Sequence, residues 1–538
     1  MTDILFINKT KELIDNLKSV CANYGLGNDG NEFKIITQVF LYKFINDKFR
    51  HEAKKHEKQL KLSANFQEAF ENLIDEQYEF LVRRIGNDAP KLKPEQTIDY
   101  IFGKLNEDNF AGVYFDPTLR AISEENSVLY SIKSTSGAKD RMFDELSQFI
   151  SDPSQRDAFC RALVSKLVEF SFEDMFNQKY DFFATIFEYL IKDYNSDSGG
   201  KYAEYYTPHA VARIMAAILV NSGEELHDVK CYDPSAGSGT LLMNLAHAIG
   251  EQNCSIFSED ISQKSSNMLR LNLILNNLSQ SIPNVIKGNT ILESKYHNEK
   301  FQYIVSNPPF KLDFSEYRDT VEKDKERFFA GIPKIPNKDV DKMSIYLLFI
   351  QHIMYCLDET KGKAAIVVPT GFITAQSGIE KKIREAMIQR KVLRGVVSMP
   401  SNIFASTGTN VSVLFLDAKA DTKQVVLVDA SKLGTTIKDG KNQRTVLSPA
   451  EEGRIISTMN EKRADEDFSV VVSYDQIKEK NYSFSAGQYF EVKIEYTDIT
   501  AEEFDAKMAA FKNNLNSLFA ESKKLELEIQ KQLGGLVQ

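Results

Sequence analysis

The run Ser306-Asn307-Pro308-Pro309-Phe310 directly follows a short apolar stretch, Tyr303 to Val305. Two prolines fix φ, remove two N–H donors and hold the chain extended. The Asn307 side chain and a backbone carbonyl are left as fixed acceptors, with the Phe310 ring beside them. Such a set suits a planar base bearing an exocyclic amine, although Asn-Pro-Pro alone is equally a plain turn. A second signal is Asp233-Pro234-Ser235-Ala236-Gly237-Ser238-Gly239-Thr240, between a strand candidate and the helical run Leu241 to Ile249. Glycines at such a turn let the backbone approach a ligand, and the following helix N-terminus favours anionic groups. Only two of the three glycines of a dinucleotide fingerprint are present, which argues against NAD. The string Gly434 to Asn442 has one residue too many between its glycines for a phosphate loop and no Ser or Thr after Lys441, which argues against ATP hydrolysis. The third signal, Ser258-Glu259-Asp260, ends the next strand candidate. Glu259 is placed there to accept hydrogen bonds from ribose hydroxyls; the competing reading is an N-cap by Asp260 or Ser262.

These residues need a scaffold that brings strand ends together. Short apolar runs at Val229, Ser255, Asn284, Tyr303, Ala364, Leu393 and Val411 alternate with helical stretches such as 265–278 and 343–357. Strands alternating with helices predict an α/β fold with a doubly wound, mostly parallel, Rossmann-like sheet. Residues 1–168 read as helix after helix, 169–425 as the catalytic α/β domain, 426–497 as a small mixed region with a polar turn at Lys438, and 498–538 as an amphipathic helix. In that tail Phe504, Met508, Phe511, Leu515, Leu518, Ser522, Leu525 and Ile529 recur in steps of four and three. This is a heptad seam that wants a partner helix or a place on its own chain. The segment 311–341, charged and carrying Pro333 and Pro336, reads as a mobile loop over the site. Lys381, Lys382, Arg384, Arg390, Lys391 and Arg394 fall in one helical stretch, either a phosphate-facing patch or a solvated face.

The whole chain has 66 basic and 76 acidic residues, a formal net charge of -10. Nucleic-acid affinity comes largely from neutralising phosphates, so a chain this acidic is a poor stand-alone nucleic-acid binder. The prior speaks of the whole surface and leaves room for one basic cleft. Five scattered cysteines, Cys21, Cys160, Cys231, Cys254 and Cys356, form no CxxC pair. That argues against a disulfide framework and a cysteine zinc site, so no metal is expected. The N-terminus lacks the pattern of a secretory signal, and the longest apolar stretch, Met343 to Leu357, is too short to span a bilayer. A cytoplasmic protein without membrane contact is the expectation.

A strand followed by DPxxGxG, an acidic second strand and a later strand ending in NPPF together resemble the S-adenosylmethionine-dependent methyltransferases that act on adenine N6. Glu204-Tyr205-Tyr206-Thr207-Pro208, ahead of the helix from His209, resembles the cofactor element "FYTP" of that family. The stretches Gly362–Ile373 and Met399–Asp417 resemble its later strands and loop. With the helical N-terminal region and helical tail, the chain resembles the modification (M) subunit of type I restriction–modification systems, strongly over 170–420. The resemblance implies methyl transfer to N6 of a flipped adenine, with Asn307, Pro308, Pro309 and Phe310 as the catalytic set. It implies S-adenosyl-L-methionine held by Tyr205, Tyr206, Thr207, Pro208, Asp233, Ser235, Gly237, Ser238, Gly239, Thr240, Glu259 and Asn289. The family commonly has Asp where this chain has Asn289; an amide can still pair with an adenine edge. Implied partners are duplex DNA, a specificity (S) subunit with two M per S, and a restriction/translocase (R) subunit. Alternatives are a self-sufficient methyltransferase, for which 426–497 is small as a target-reading domain, a non-catalytic scaffold, and methylation of a protein amide.

Overall fold

Short, β-branched apolar runs bounded by turn residues cannot complete a helix and form the strands of this molecule. The computed structural model describes residues 2–27, 30–173, 176, 189, 207–220, 223, 225–404, 410–419, 424–439, 442–490 and 500–535. The strands are β1 (Ile132–Ser134), β2 (Lys139–Asp140), β3 (Val229–Asp233), β4 (Cys254–Asp260), β5 (Val285–Lys287), β6 (Tyr303–Ser306), β7 (Lys363–Pro369), β8 (Leu393–Ser398), β9 (Val411–Asp417), β10 (Gln424–Asp429), β11 (Thr435–Asp439), β12 (Asn442–Val446) and β13 (Ser469–Ser473). Eleven of them make one sheet in the order β13-β10-β8-β9-β7-β6-β3-β4-β5-β1-β2, while β11 and β12 form a separate hairpin. Only β2, β9 and β13 run antiparallel to their neighbours in the large sheet. The expected doubly wound α/β sheet is present, and all seven predicted strands are in it.

Chain order gives the sheet its crevice. From β3 the chain steps outward to β4 and β5, then returns to place β6 on the other side of β3. The crossovers on the two sides diverge there, which leaves an opening above the carboxyl ends of β3 and β6. β7 is buried along almost its whole length, as a central strand covered on both faces must be, and its Ala-Ala-Ile-Val-Val run reads accordingly.

Residues Met1–Tyr489 form one compact unit and Phe490–Gln538 a second. In the first, the helix Gly30–His56 is buried nearly all round and centres the N-terminal helical region. One continuous apolar core joins Ile14, Phe40 and Phe44 of that region to Ile256, Val305 and Val413 of the sheet. The helical region also lends the sheet a hairpin: β1 pairs in parallel with β5, Ser134 opposite Lys287. At the far edge β10 and β13, from beyond residue 420, extend the same sheet. Among the described residues the second unit holds one helix, Ala501–Gly535. Its seam residues Phe504, Met508, Phe511, Leu515, Leu518, Leu525 and Ile529 are each more than half exposed, and no other described element of that unit covers them.

The segment 311–341 is packed, which corrects the mobile-loop expectation. Phe314, Val321, Phe328 and Ile332 build a small core with Met343 and Ile345, with Leu348 and Phe349 of the helix Tyr346–Cys356, and with Ile291. The basic stretch divides: Lys382, Arg390 and Lys391 are exposed, as a solvated face would be, while the fold takes up others. Arg384 is fully buried and donates to the carbonyl oxygens of Tyr482 (2.7 Å), Phe372 and Ala375. Arg394 donates to Ile218 O and Asn460, Arg390 lies over the Phe329 ring, and Lys381 donates to Asn481. A guanidinium has five donors, and folding takes up three at Arg384 and two at Arg394. No helix among the described residues is long and apolar enough to cross a membrane, and those residues hold no cluster of three or more His, Cys, Asp or Glu fit for a metal ion.

Candidate active site

The loop after β3 is drawn tight by its own first residue. Asp233 Oδ1 accepts the backbone N–H of Ser235 at 2.9 Å, and the Ser235 and Ser306 hydroxyls meet at 2.7 Å, tying the ends of β3 and β6 together. Gly239 sits at φ +83°, where a Cβ would lie 2.2 Å from Leu269 Cδ1. A side chain is excluded there twice, by backbone angle and by space. The turn then enters the helix Thr240–Ile249. Gly237 N–H donates to Asp260 Oδ2 (2.9 Å), and Ser262 N–H to Asp260 Oδ1 (2.8 Å).

These loops line a cavity that is partly open to solvent. Its walls bring together Thr207, Asp233, Ser235, Gly237, Ser238, Thr240, Asn289, Asn307 and Pro309 of the expected set. Pro208 instead precedes the helix His209–Leu219, Gly239 sets the backbone of the turn, and Pro308 is buried. Tyr205 and Tyr206 lie outside the described residues.

Glu259 needs a correction. It is 1% exposed and faces away from the cavity, where Oε2 accepts from Tyr232 (2.6 Å) and Ser294 (2.8 Å) and Oε1 from Lys295 N–H (2.6 Å). Burial raises its pKa against those bonds. Asp260 lines the cavity in its place. Successive side chains of a strand point to opposite faces, so neighbouring acids at a strand tip cannot share a role. Ser262 is the true N-cap, accepting from Ser265 N–H. The ligand reading thus moves by one residue, from Glu259 to Asp260, while the N-cap reading holds at Ser262.

Three further cavity residues carried no sequence signal. Lys311, Leu312 and Tyr317 come from the segment once read as a loop, and the Tyr317 hydroxyl shares a hydrogen bond with the Asn289 side chain. Asn289 Oδ1 is itself occupied, capping Ile291 and Leu292 at 3.1 Å each. Arg327 holds the same turn from the other side, donating to the carbonyls of Thr290 and Ile291. Thr135, in the β1–β2 turn, abuts Gly288: a Cβ on Gly288 would lie 2.2 Å from its methyl.

The electrostatics favour a cationic guest. Burial, reinforced by the nearby Asp260, pushes the Asp233 carboxyl up to about 8, and burial raises Asp260 as well. A positive charge between two such groups would restore their ionised forms. The set also fits S-adenosylmethionine chemically. The carboxylates suit its ammonium and sulfonium, Asp260 has lone pairs left for ribose hydroxyls, and a side-chain-free turn lets the backbone close on it.

At the mouth, Asn307 Nδ2 donates to Thr207 Oγ1 at 3.2 Å. With its nitrogen committed, the amide leaves Oδ1 without a donor among the described residues. The Phe310 ring is half-buried, edge-on to Tyr346 at 6.2 Å between centroids. The acceptor oxygen thus belongs to a residue of the cavity wall, and the aromatic ring follows it three residues along the chain.

Residues 178–498 match the N-6 DNA Methylase family model. The methylase subunit of the type I restriction enzyme MpnII from Mycoplasma pneumoniae is 27% identical over 382 residues, 69% of this chain and 67% of that protein. The MjaIX methylase subunit from Methanocaldococcus jannaschii is also 27% identical, over 70% of this chain and 66% of its own length. The match thus spans about two thirds of each relative. The type I methyltransferase subunit from Streptococcus thermophilus shares the fold with a TM-score of 0.72 at 21% identity, over 90% of this chain and all of that one. The chain belongs to the N-6 DNA methylase family: it is an adenine-specific DNA methyltransferase whose methyl donor is S-adenosylmethionine.

Proposed function

We propose that the chain is the modification subunit of a type I restriction–modification assembly, methylating N6 of an adenine extruded from duplex DNA. A specificity subunit would choose the site, with two modification subunits to each and a restriction/translocase subunit able to join. The single observation that carries the chemistry is Asn307, held by Thr207 with its oxygen uncommitted, at the mouth of the acidic cavity. N6 inside a duplex is paired and stacked, so the base must leave the helix. Its lone pair is delocalised into the ring and weakly nucleophilic. Asn307 Oδ1 and the Pro308 carbonyl accept the two N–H bonds and turn the lone pair toward the cavity. Phe310 stacks on the extruded base, worth about 1–3 kcal/mol, which offsets much of the unstacking cost. Bound S-adenosylmethionine supplies an electrophilic methyl group. Asp233 and the Ser235–Gly239 turn hold its methionine end, and Asp260 its ribose. Most of the rate then comes from positioning.

The test is Asn307→Ala, assayed by labelled methyl transfer to duplex DNA with co-purified partners and by calorimetry of cofactor binding. Methylation falls by about 100-fold or more while cofactor affinity is retained. Thr207→Val loses about fivefold in rate, one neutral hydrogen bond's worth, and Thr207→Ser keeps it. Full activity of Asn307→Ala would remove the catalytic assignment. Specific methylation by the chain alone would replace the subunit reading with a self-sufficient enzyme.

A further inference from the structure

We infer that the β11–β12 hairpin is a DNA-contacting ribbon that lies against the phosphate backbone beside the extruded adenine. The inference rests on the DNA-methylating reading and adds a surface to it. β10 runs parallel to β8, so the connection after Asp429 leaves from the same carboxyl edge that carries the Asn307 mouth. In the sheet β10 stands four strands from β6, with β7, β9 and β8 between them. At about 4.8 Å per strand this is roughly 19 Å, on the order of a duplex's width. The chain therefore leaves β10 for the ribbon at an offset from β6 comparable to a duplex's width.

Its construction suits that place. The two strands pair only with each other, Ile437 opposite Arg444 and Lys438 opposite Gln443. The base is pinned, because Thr445 N–H donates to Asn402 O (3.0 Å) and Thr445 Oγ1 to Ser401 O (2.6 Å). Gly434 sets its exit from β10 at φ +86°, where a Cβ would lie 2.5 Å from Thr445 Cγ2. Beyond the pinned base, Lys438 and Gln443 are exposed on one face, while Ile437, 44% exposed, and the half-buried Arg444 share the other. Lys438 and Arg444 make no hydrogen bond or ion pair among the described residues, unlike the arginines at 384 and 394. Residues 431–446 carry four basic residues and one acidic in a chain of net charge -10. A rigid two-stranded ribbon with cations on both faces matches the polyanion in charge, and a major groove about 12 Å wide admits such a ribbon.

The experiment compares the full chain, with its co-purified partners, as wild type and as the double variant Lys438→Glu with Arg444→Glu. The probe is a fluorescent mixed-sequence duplex titrated across a salt series, with cofactor binding measured alongside. Each phosphate contact contributes about 0.9 to the slope of log affinity against log salt. The double variant therefore loses affinity at least tenfold and lowers the slope by about 2, with cofactor affinity unchanged and the same partners retained. Lys438→Arg with Arg444→Lys stays near wild type, and Gly434→Val, which displaces the ribbon without touching its charges, weakens DNA binding in the same direction. Unchanged affinity and slope in the double variant overturn the inference. So does loss of the partner with an unchanged slope, which would make the ribbon a protein interface. A wild-type chain that neither binds nor methylates DNA would instead bring down the DNA reading itself, and this inference with it.

Discussion

Asp233 is buried among polar atoms yet faces a cavity, and its displaced pKa has a consequence that can be measured. Burial pushes the carboxyl up to about 8, far above the 3.8 of an unfolded chain. The folded state thus holds a proton that the unfolded state releases. The stability this group contributes is complete below about 4 and is lost as pH rises through about 8. Cofactor affinity runs the other way, because the cation binds the ionised form. From pH 6 to 8 the affinity rises, by up to about tenfold per pH unit, and then levels off. Calorimetry across pH checks this, and Asp233→Asn should flatten the profile. The pair Glu259 and Asp260 gives a sharper residue-scale contrast. Asp260→Asn weakens cofactor binding about tenfold, since charge-assisted hydrogen bonds to ribose are lost. Glu259→Gln leaves cofactor affinity within about twofold and lowers the unfolding midpoint, since Tyr232, Ser294 and Lys295 all depend on it. Equal effects on the cofactor would contradict the face assignment. The sequence pointed to the right strand tip and the wrong acid: composition and spacing place an acid after β4, but only pairing decides which of two neighbours faces the crevice.

Among elements, legibility followed length and burial. The seven predicted strands are continuous apolar runs between turn residues, and the central ones are buried on both faces, so each announces itself. β1 and β2 are three and two residues long and carry no period to read. The segment 311–341 failed for another reason. Its few apolar residues are spaced irregularly and make a core only by adding Ile291 and the helix from Tyr346. Tertiary contacts made it a wall of the cavity, and Arg327 is the bolt between that wall and the Asn289 turn. Arg327→Met should therefore act on two observables together. Two hydrogen bonds from a buried cation are lost, about 2 kcal/mol of stability, and cofactor affinity falls although Arg327 does not line the cavity. Chemical denaturation and calorimetry check both. A stability loss with unchanged cofactor affinity would mean that the insert and the turn are not coupled.

At the scale of the molecule, a net charge of -10 and a DNA substrate have to be reconciled. Two of the arginines that a sequence would enlist for DNA, at 384 and 394, are spent on carbonyls and an amide, while Lys382, Arg390 and Lys391 stay exposed. Phosphate must then be met by local cations, Lys438 and Arg444 on the inferred reading, because the net acidic surface repels a polyanion. Binding by the full chain alone should therefore be weak and should fall steeply as salt rises from about 50 to 200 mM, because nearly all of it is counterion release at a few contacts. Adding the partner that selects the site supplies further cations and base contacts. Affinity should then rise while the salt slope grows in magnitude, since more phosphates are neutralised. Fluorescence anisotropy with one duplex, with and without partner, reads both quantities. Tight binding by the lone chain that ignores salt would show that this surface does not recognise DNA through its charge.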